Sequence, residues 1–142
     1  MSPRPEDVAA LLRASARDSV WLPVDGTSMF PTILAGSEVR VEAQSRRPRI
    51  AEIWAFCDAN GVVVVHRYRK RDAEGRWIFR GDNRKLRDEP VDPQFVVGLV
   101  THVRQGETVR RFAIRSRLAW IVDRLIGRIS RHSVYRSFGR RS

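Results

Sequence analysis

The sequence contains very little cysteine and histidine, and each scarcity excludes a class of protein. Cys57 is the single cysteine in 142 residues, so no intramolecular disulfide can form and nothing points to an oxidising compartment. Its place in an apolar run favours a buried, inert thiol. The three histidines, His66, His102 and His132, lack the spacing of metal ligands, so we expect neither a metal site nor a cofactor.

Long hydrophobic runs are also missing. Residues 8–12 are too short for the apolar region of a secretory signal, and the acidic Glu6 and Asp7 precede them. Residues 118–138 are interrupted by five charged side chains, too many for a bilayer span. We therefore expect a cytoplasmic protein without a transmembrane helix or a secretory signal.

Negative charge is scarce at one end of the chain only. The net charge is +11, and residues 104–142 account for +9 of it with 11 arginines against Glu107 and Asp123. Residues 1–103 are nearly balanced at +2. A partner attracted by charge is therefore expected to bind the C-terminal segment.

Short apolar runs between turn residues predict the fold. Residues 5–17 have the periodicity of a short amphipathic helix, and the following runs are β-branched or aromatic with Gly, Pro, Asp and Asn between them. We expect a mainly β protein: a coiled antiparallel β-sheet with a short N-terminal helix. The predicted strands cover residues 19–24, 38–42, 50–56, 62–68, 77–80 and 95–103.

The C-terminal segment changes to a helical period. Its apolar residues recur every three to four positions with arginines between them, which is typical of a basic amphipathic helix. Such a helix could pack on the body, or bind an anionic membrane surface or an acidic partner. The predicted organisation is a helical segment at 1–19, a β domain at 20–103 and a basic extension at 104–142.

A serine, a histidine and two aspartates form a candidate constellation for acyl chemistry. Ser28 lies between Gly26 and Pro31, where the chain must turn sharply. His66 follows a run of four valines, and its imidazole can accept a proton at neutral pH. Asp82 or Asp88 could accept the other N–H of that imidazole, and the sequence leaves this choice open.

The ordered motifs resemble those of the signal peptidase I and LexA-type superfamily of serine peptidases. Gly26-Thr27-Ser28-Met29 is similar to the nucleophile motif of that family, Val64-Val65-His66-Arg67 to its general-base motif, and residues 80–88 to its Gly-Asp-Asn motif. Residues 36–39, 51–56 and 97–100 resemble its strands. The resemblance covers roughly residues 20–103.

That resemblance implies a role for each residue. Ser28 would be the nucleophile and His66 the general base, with Asp88 at the triad position and Asp82 as a supporting carboxylate. Substrate would bind as an added β-strand between residues 21–25 and the run before His66, in contact with Gly26, Thr27, Met29, Val64 and Val65.

Two positions depart from the usual bacterial pattern. His66 stands where most bacterial members have lysine, and histidine there is typical of archaeal and endoplasmic-reticulum signal peptidases. Gly26 replaces a serine whose hydroxyl assists the oxyanion in many relatives. The resemblance therefore implies an oxyanion hole of backbone N–H groups, including that of Ser28.

The sequence leads to two candidate functions of different classes. The first is a serine endopeptidase that matures a precursor peptide or protein. The alternative is a non-catalytic basic module that binds nucleic acid or an anionic membrane through its arginine-rich C-terminal helix. We expect no specific nucleic-acid partner, because the basic segment lacks the aromatic series that would stack on bases.

Overall fold

The computed structural model describes residues 2–112, 118, 120–122, 124 and 125, and the chain divides into two compact units, Met1–Phe112 and Ala113–Ser142. The described residues of the second unit are helical. The predicted basic helix otherwise lies outside the described residues. Within the part of the chain that is described, no helix combines the length and apolarity needed to cross a bilayer.

The first unit is mainly β, which confirms that part of the predicted fold: a strongly curled, antiparallel half-barrel sheet carries one N-terminal helix. The elements are α1 (Pro5–Ser15), β1 (Val20–Val24), β2 (Ser37–Glu42), β3 (Ile53–Cys57), β4 (Val63–Arg71), β5 (Trp77–Arg80), β6 (Val96–Gln105) and β7 (Thr108–Arg111), with 3₁₀ turns at Ala16–Asp18 and Pro93–Phe95. The strands lie in the order β1-β2-β6-β3-β4-β5, and β7 pairs with β6.

Helix α1 forms where the sequence favours a helix start and packs against the sheet. Proline stands in its first turn together with the acidic Glu6 and Asp7, which interact favourably with the helix N-terminus. Ala9 is fully buried against the sheet. At the other end, the Arg13 guanidinium donates to the Val96 carbonyl at 2.7 Å. The helix is therefore held to the core by both apolar packing and a hydrogen bond.

Two apolar clusters cover the two faces of β3, and all five of its residues are buried. Alternation along the strand directs Ile53, Ala55 and Cys57 to the first cluster, and Trp54 and Phe56 to the second. Burial raises the pKa of the Cys57 thiol, as expected for an inert buried cysteine. This doubly covered strand is the neighbour of β4, which carries His66.

The β-sheet extends beyond residue 103, where the last predicted strand ends. Strand β6 continues to Gln105, and a hairpin with Gly106 at φ +59° leads into β7. Every residue of β7 is exposed, so its sequence lacks the apolar alternation from which a strand could be predicted. Residues 104–111, assigned to the basic extension, thus belong to the sheet. The strand predicted from residue 50 begins at Ile53, after Ala51 with its φ of +71°.

Candidate active site

Three predicted residues form one continuous hydrogen-bonded chain. The Ser28 Oγ lies 2.9 Å from Nε2 of His66, and Nδ1 of the same ring lies 2.5 Å from Oδ2 of Asp88. The His66 side chain is 7 % exposed and that of Asp88 is 26 % exposed, so the imidazole is shielded while the carboxylate still reaches solvent. This is the arrangement of a nucleophile, a proton acceptor and a group that orients the acceptor.

Ser28 is presented by a turn that is anchored in the core. The N–H of Phe30 donates to the Thr27 carbonyl at 3.1 Å, and the N–H of Ile33 donates to the Met29 carbonyl at 2.9 Å. Met29 and Ile33 are buried in the first apolar cluster. Because the residue directly after Ser28 is fixed inside the protein, the serine is held at the surface in a defined position.

His66 is positioned by strand pairing and by an aromatic contact. It pairs with Trp54 across the β3–β4 ladder. The Phe56 ring lies edge-on to the imidazole, with ring centroids 6.1 Å apart and an interplanar angle of 70°. The apolar neighbour on one side and Asp88 on the other restrict the ring to the orientation in which Nε2 faces Ser28.

Gly81 lies where the loop after β5 packs against the Ser28 backbone and the His66 ring. A Cβ at this position would stand 2.6 Å from the Ser28 carbonyl oxygen and 3.0 Å from His66 Nε2. The following Asn83 donates its backbone N–H to the same Ser28 carbonyl at 2.8 Å and its side-chain amide to the Thr27 carbonyl at 3.1 Å. Glycine permits this close approach because it has no side chain.

Gly81→Ala is therefore expected to displace Ser28 from His66. A shift of about 1 Å at a reacting group lowers a rate by roughly 10²-fold, so we expect acylation of the Ser28 hydroxyl to slow by about that factor. The rate at which a fluorophosphonate probe labels Ser28 would measure the loss. A wild-type labelling rate in Gly81→Ala would contradict the close packing around this glycine.

The two candidate aspartates have different partners. Asp88 contacts His66, whereas Asp82 is bound by Arg67 through paired hydrogen bonds of 2.8 and 2.7 Å and accepts a third from the Thr32 hydroxyl at 2.6 Å. The side chains of Arg67 and Asp82 are 6 % and 7 % exposed. Asp82 thus connects β4 to the loop that carries Ser28. Its carboxylate is hydrogen-bonded to Arg67 and Thr32 and not to the imidazole.

Arg67 and Thr32 were not predicted as site residues. Arg67 also donates to the Ala51 carbonyl at 2.8 Å, inside the protein. A sequence signal for it does exist: alternation along β4 places residue 67 on the same face as Val65, which belongs to the first apolar cluster. A charged side chain on an inward face needs a buried partner of opposite charge.

The five residues predicted to bind substrate do not share one environment. Gly26 and Thr27 are exposed beside Ser28. The Met29 side chain is fully buried, with its sulfur 3.4 Å from the Asp82 backbone nitrogen, and Val65 is 8 % exposed in the same cluster. Val64 is half-buried and lines a cleft beside His66. Gly26, Thr27 and Val64 are therefore the accessible members of the set.

Backbone edges are available on both sides of this site. Within residues 2–112, β5 pairs with β4 only from Arg67 onward, so Val63 to His66 have a strand neighbour on the β3 side alone. Strand β1 pairs with β2 and, within the same residues, with no other strand. Unpaired strand edges can accept an extended peptide through main-chain hydrogen bonds.

Metal-ligating groups are not clustered in the described ranges, where no three His, Cys, Asp or Glu side chains converge on one point. The Ser28, His66 and Asp88 side chains can together support nucleophilic attack by the hydroxyl with proton transfer to the imidazole. The chain was compared with models of protein families and with curated proteins, and neither comparison found a match.

Proposed function

We propose that this protein is a serine endopeptidase that cleaves a precursor peptide or protein. The observation that carries the proposal is the position of the His66 ring, which lies within hydrogen-bond distance of the Ser28 hydroxyl on one side and of the Asp88 carboxylate on the other. A serine hydroxyl is a weak nucleophile until a base takes its proton, and this arrangement supplies the base.

The first half of the proposed reaction forms an acyl-enzyme. Nε2 of His66 accepts the proton of Ser28 as Oγ attacks the carbonyl carbon of the peptide bond. Asp88 accepts the Nδ1–H hydrogen bond, which holds the ring in the required tautomer and stabilises the imidazolium as it forms. The imidazolium then gives its proton to the leaving amine, the C–N bond breaks, and an ester to Ser28 remains.

The second half regenerates the enzyme. Water attacks the ester carbonyl while Nε2 of His66 takes one of its protons, and that proton passes to Ser28 as the C–O bond to the serine breaks. In both halves negative charge develops on the carbonyl oxygen and requires N–H donors aimed at it. We propose that backbone N–H groups, including that of Ser28, supply them.

Substrate is proposed to bind as an added strand. The free edge of Val63 to His66 ends at the general base, and β1 leads directly into the turn that carries Ser28. An extended peptide on these edges would lie across Ser28, with Gly26, Thr27 and Val64 within its reach. The resemblance to signal peptidase I and LexA-type enzymes is consistent with this mode of binding.

The test is cleavage that depends on Ser28. The full chain is incubated with a peptide library obtained by digesting a whole proteome, and new N-termini are identified by mass spectrometry. We expect wild-type protein to generate a consistent set of new termini and Ser28→Ala to generate none of them. A set that is the same for both proteins, or no new termini from folded wild-type protein, would overturn the proposal.

A further inference from the structure

A cleft of about 730 Å³ opens on the face of the sheet that carries the second apolar cluster. His66 and Asp88 form part of its wall, so the cleft is continuous with the proposed reacting centre. Its floor is apolar, because Phe56, Val91 and Phe95 line it. Ligand-binding clefts fall in the range of roughly 300–1,000 Å³, so this one has room for a bulky group.

The aromatic floor of this cleft is held in place by its neighbours. The Phe56 ring stacks on Phe79, with ring centroids 4.7 Å apart and an interplanar angle of 26°, and Phe79 is fully buried. The His66 ring lies edge-on to Phe56 on the other strand. Val64 pairs with Phe56 across the β3–β4 ladder and lines the same cleft. A floor that is already ordered loses little conformational entropy when a ligand binds to it.

The charged side chains that line the cleft are balanced in sign. Among the described residues three are cations and three are carboxylates: Arg84, Lys85, Arg87, Asp58, Asp88 and Glu89. Charges of opposite sign that lie near each other reduce each other's field, so the lining attracts neither anions nor cations strongly. A charged group would also lose hydration against the apolar floor. The lining therefore favours an occupant that is apolar and uncharged.

The free edge of β4 directs one side chain of an added strand toward this cleft. Val63 to His66 pair with β3 on one side, and in residues 2–112 no strand pairs with them on the other. Val64 lines the cleft, whereas its neighbour Val65 belongs to the first apolar cluster on the opposite face. Residues directly opposite each other on paired strands extend from the same face of the sheet. The residue that pairs with Val64 therefore presents its side chain on the face of the cleft.

We propose that the cleft is a specificity subsite for a bulky, uncharged apolar side chain, carried by the substrate residue that pairs with Val64. This inference rests on the peptidase proposed above. The side chain contacts Phe56 and Phe95 in the floor and covers Leu86, which lines the cleft with 82 % of its surface exposed. Burial of apolar surface and contact between rings provide the selectivity, so the preference does not depend on salt.

The residues around the cleavage sites test the subsite. New termini that depend on Ser28 are aligned on the cut bond, and residue frequencies at each position are compared with those of the uncut peptide library. We expect one fixed position at which phenylalanine, leucine and methionine are enriched and at which aspartate and lysine are both depleted. In matched synthetic peptides, phenylalanine at that position should give cleavage roughly tenfold faster than alanine. Added salt should leave this ratio unchanged, because salt screens charges only.

Two variants of the cleft locate the subsite. Val64→Phe places a larger ring beside the floor, so we expect the preference at that position to move from phenylalanine to alanine by about tenfold while cleavage continues. Phe95→Ala removes part of the floor and should reduce the preference for phenylalanine without reversing it, which keeps the test open if Val64→Phe does not fold. Val109→Phe is the matched control, because Val109 is 51 % exposed on β7, outside the cleft, and we expect the wild-type preference there.

Three outcomes would overturn the subsite and leave the peptidase intact. They are Ser28-dependent termini with no position enriched in bulky apolar residues, a preference for one sign of charge that weakens with salt, and a wild-type preference in every folded variant of the cleft. A lack of Ser28-dependent termini from folded wild-type protein would overturn the peptidase and the subsite together. Failure of the inference is therefore distinguishable from failure of the proposed function.

Discussion

His66→Ala is expected to lower kcat for the proposed peptide cleavage by about 10⁶-fold, and Asp88→Asn by about 10⁴-fold. The first change removes the imidazole that lies 2.9 Å from the Ser28 hydroxyl and is positioned to take its proton. The second keeps the shape of the side chain but favours the wrong tautomer of the imidazole, because an amide can donate to Nδ1. Single-turnover kinetics on a peptide cleaved by the wild type would measure both losses.

A matched control for the histidine is His102→Ala. His102 is half-buried on β6, where Nδ1 lies 2.9 Å from the Thr101 hydroxyl, and the side-chain hydrogen bonds of Ser28 and Asp88 go to His66 instead. We expect wild-type kcat for this variant. A loss in His102→Ala equal to that in His66→Ala, or full activity in Asp88→Asn, would contradict the assigned roles.

Arg67→Met is expected to reduce the free energy of unfolding by about 3–5 kcal/mol. The substitution leaves the Asp82 carboxylate, 7 % exposed, without the paired hydrogen bonds that compensate its burial. The Ala51 carbonyl also loses its donor. Urea denaturation followed by tryptophan fluorescence would give the difference from the wild type.

Two further variants identify the source of that loss. Arg67→Met combined with Asp82→Asn should be less destabilised than the sum of the single changes, because no uncompensated charge remains buried. Arg4→Met serves as the exposed control: its side chain is 71 % exposed and pairs with Asp7 at 3.1 Å, so we expect little change in the free energy of unfolding. Similar losses in Arg67→Met and Arg4→Met would contradict the structural role of the buried pair.

Much of the fold was predictable because the signal is local. Alternating burial in β2 and the apolar runs of β3 and β4 follow directly from the sequence and identify the strands. Strand β7 could not be identified in that way, because it is exposed along its whole length. Its pairing with β6 depends on hydrogen bonds between two strands, and the composition of a strand does not predict its partner.

The site, like the fold, could be predicted from the sequence only in part. Residue chemistry and motif order pointed to Ser28 and His66, which are 38 positions apart in the sequence and 2.9 Å apart in the structure. Residue chemistry left Asp82 and Asp88 equivalent, because either carboxylate could have reached a ring whose position was unknown, and only the resemblance to known peptidases implied Asp88 at the triad position. The resemblance implied that Met29 contacts substrate, but its side chain is fully buried in the core.

The sequence by itself determined the mainly β class, the small N-terminal helix and the kinds of group available for chemistry, since periodicity and side-chain identity are properties of the chain. Only the tertiary structure decided which carboxylate meets His66 and which one binds Arg67. The reason is physical: β5 ends immediately before Gly81 and Asp82, and the curl of the sheet brings that loop against the Ser28 turn. Distances between side chains on separate strands depend on that packing, which no local pattern encodes.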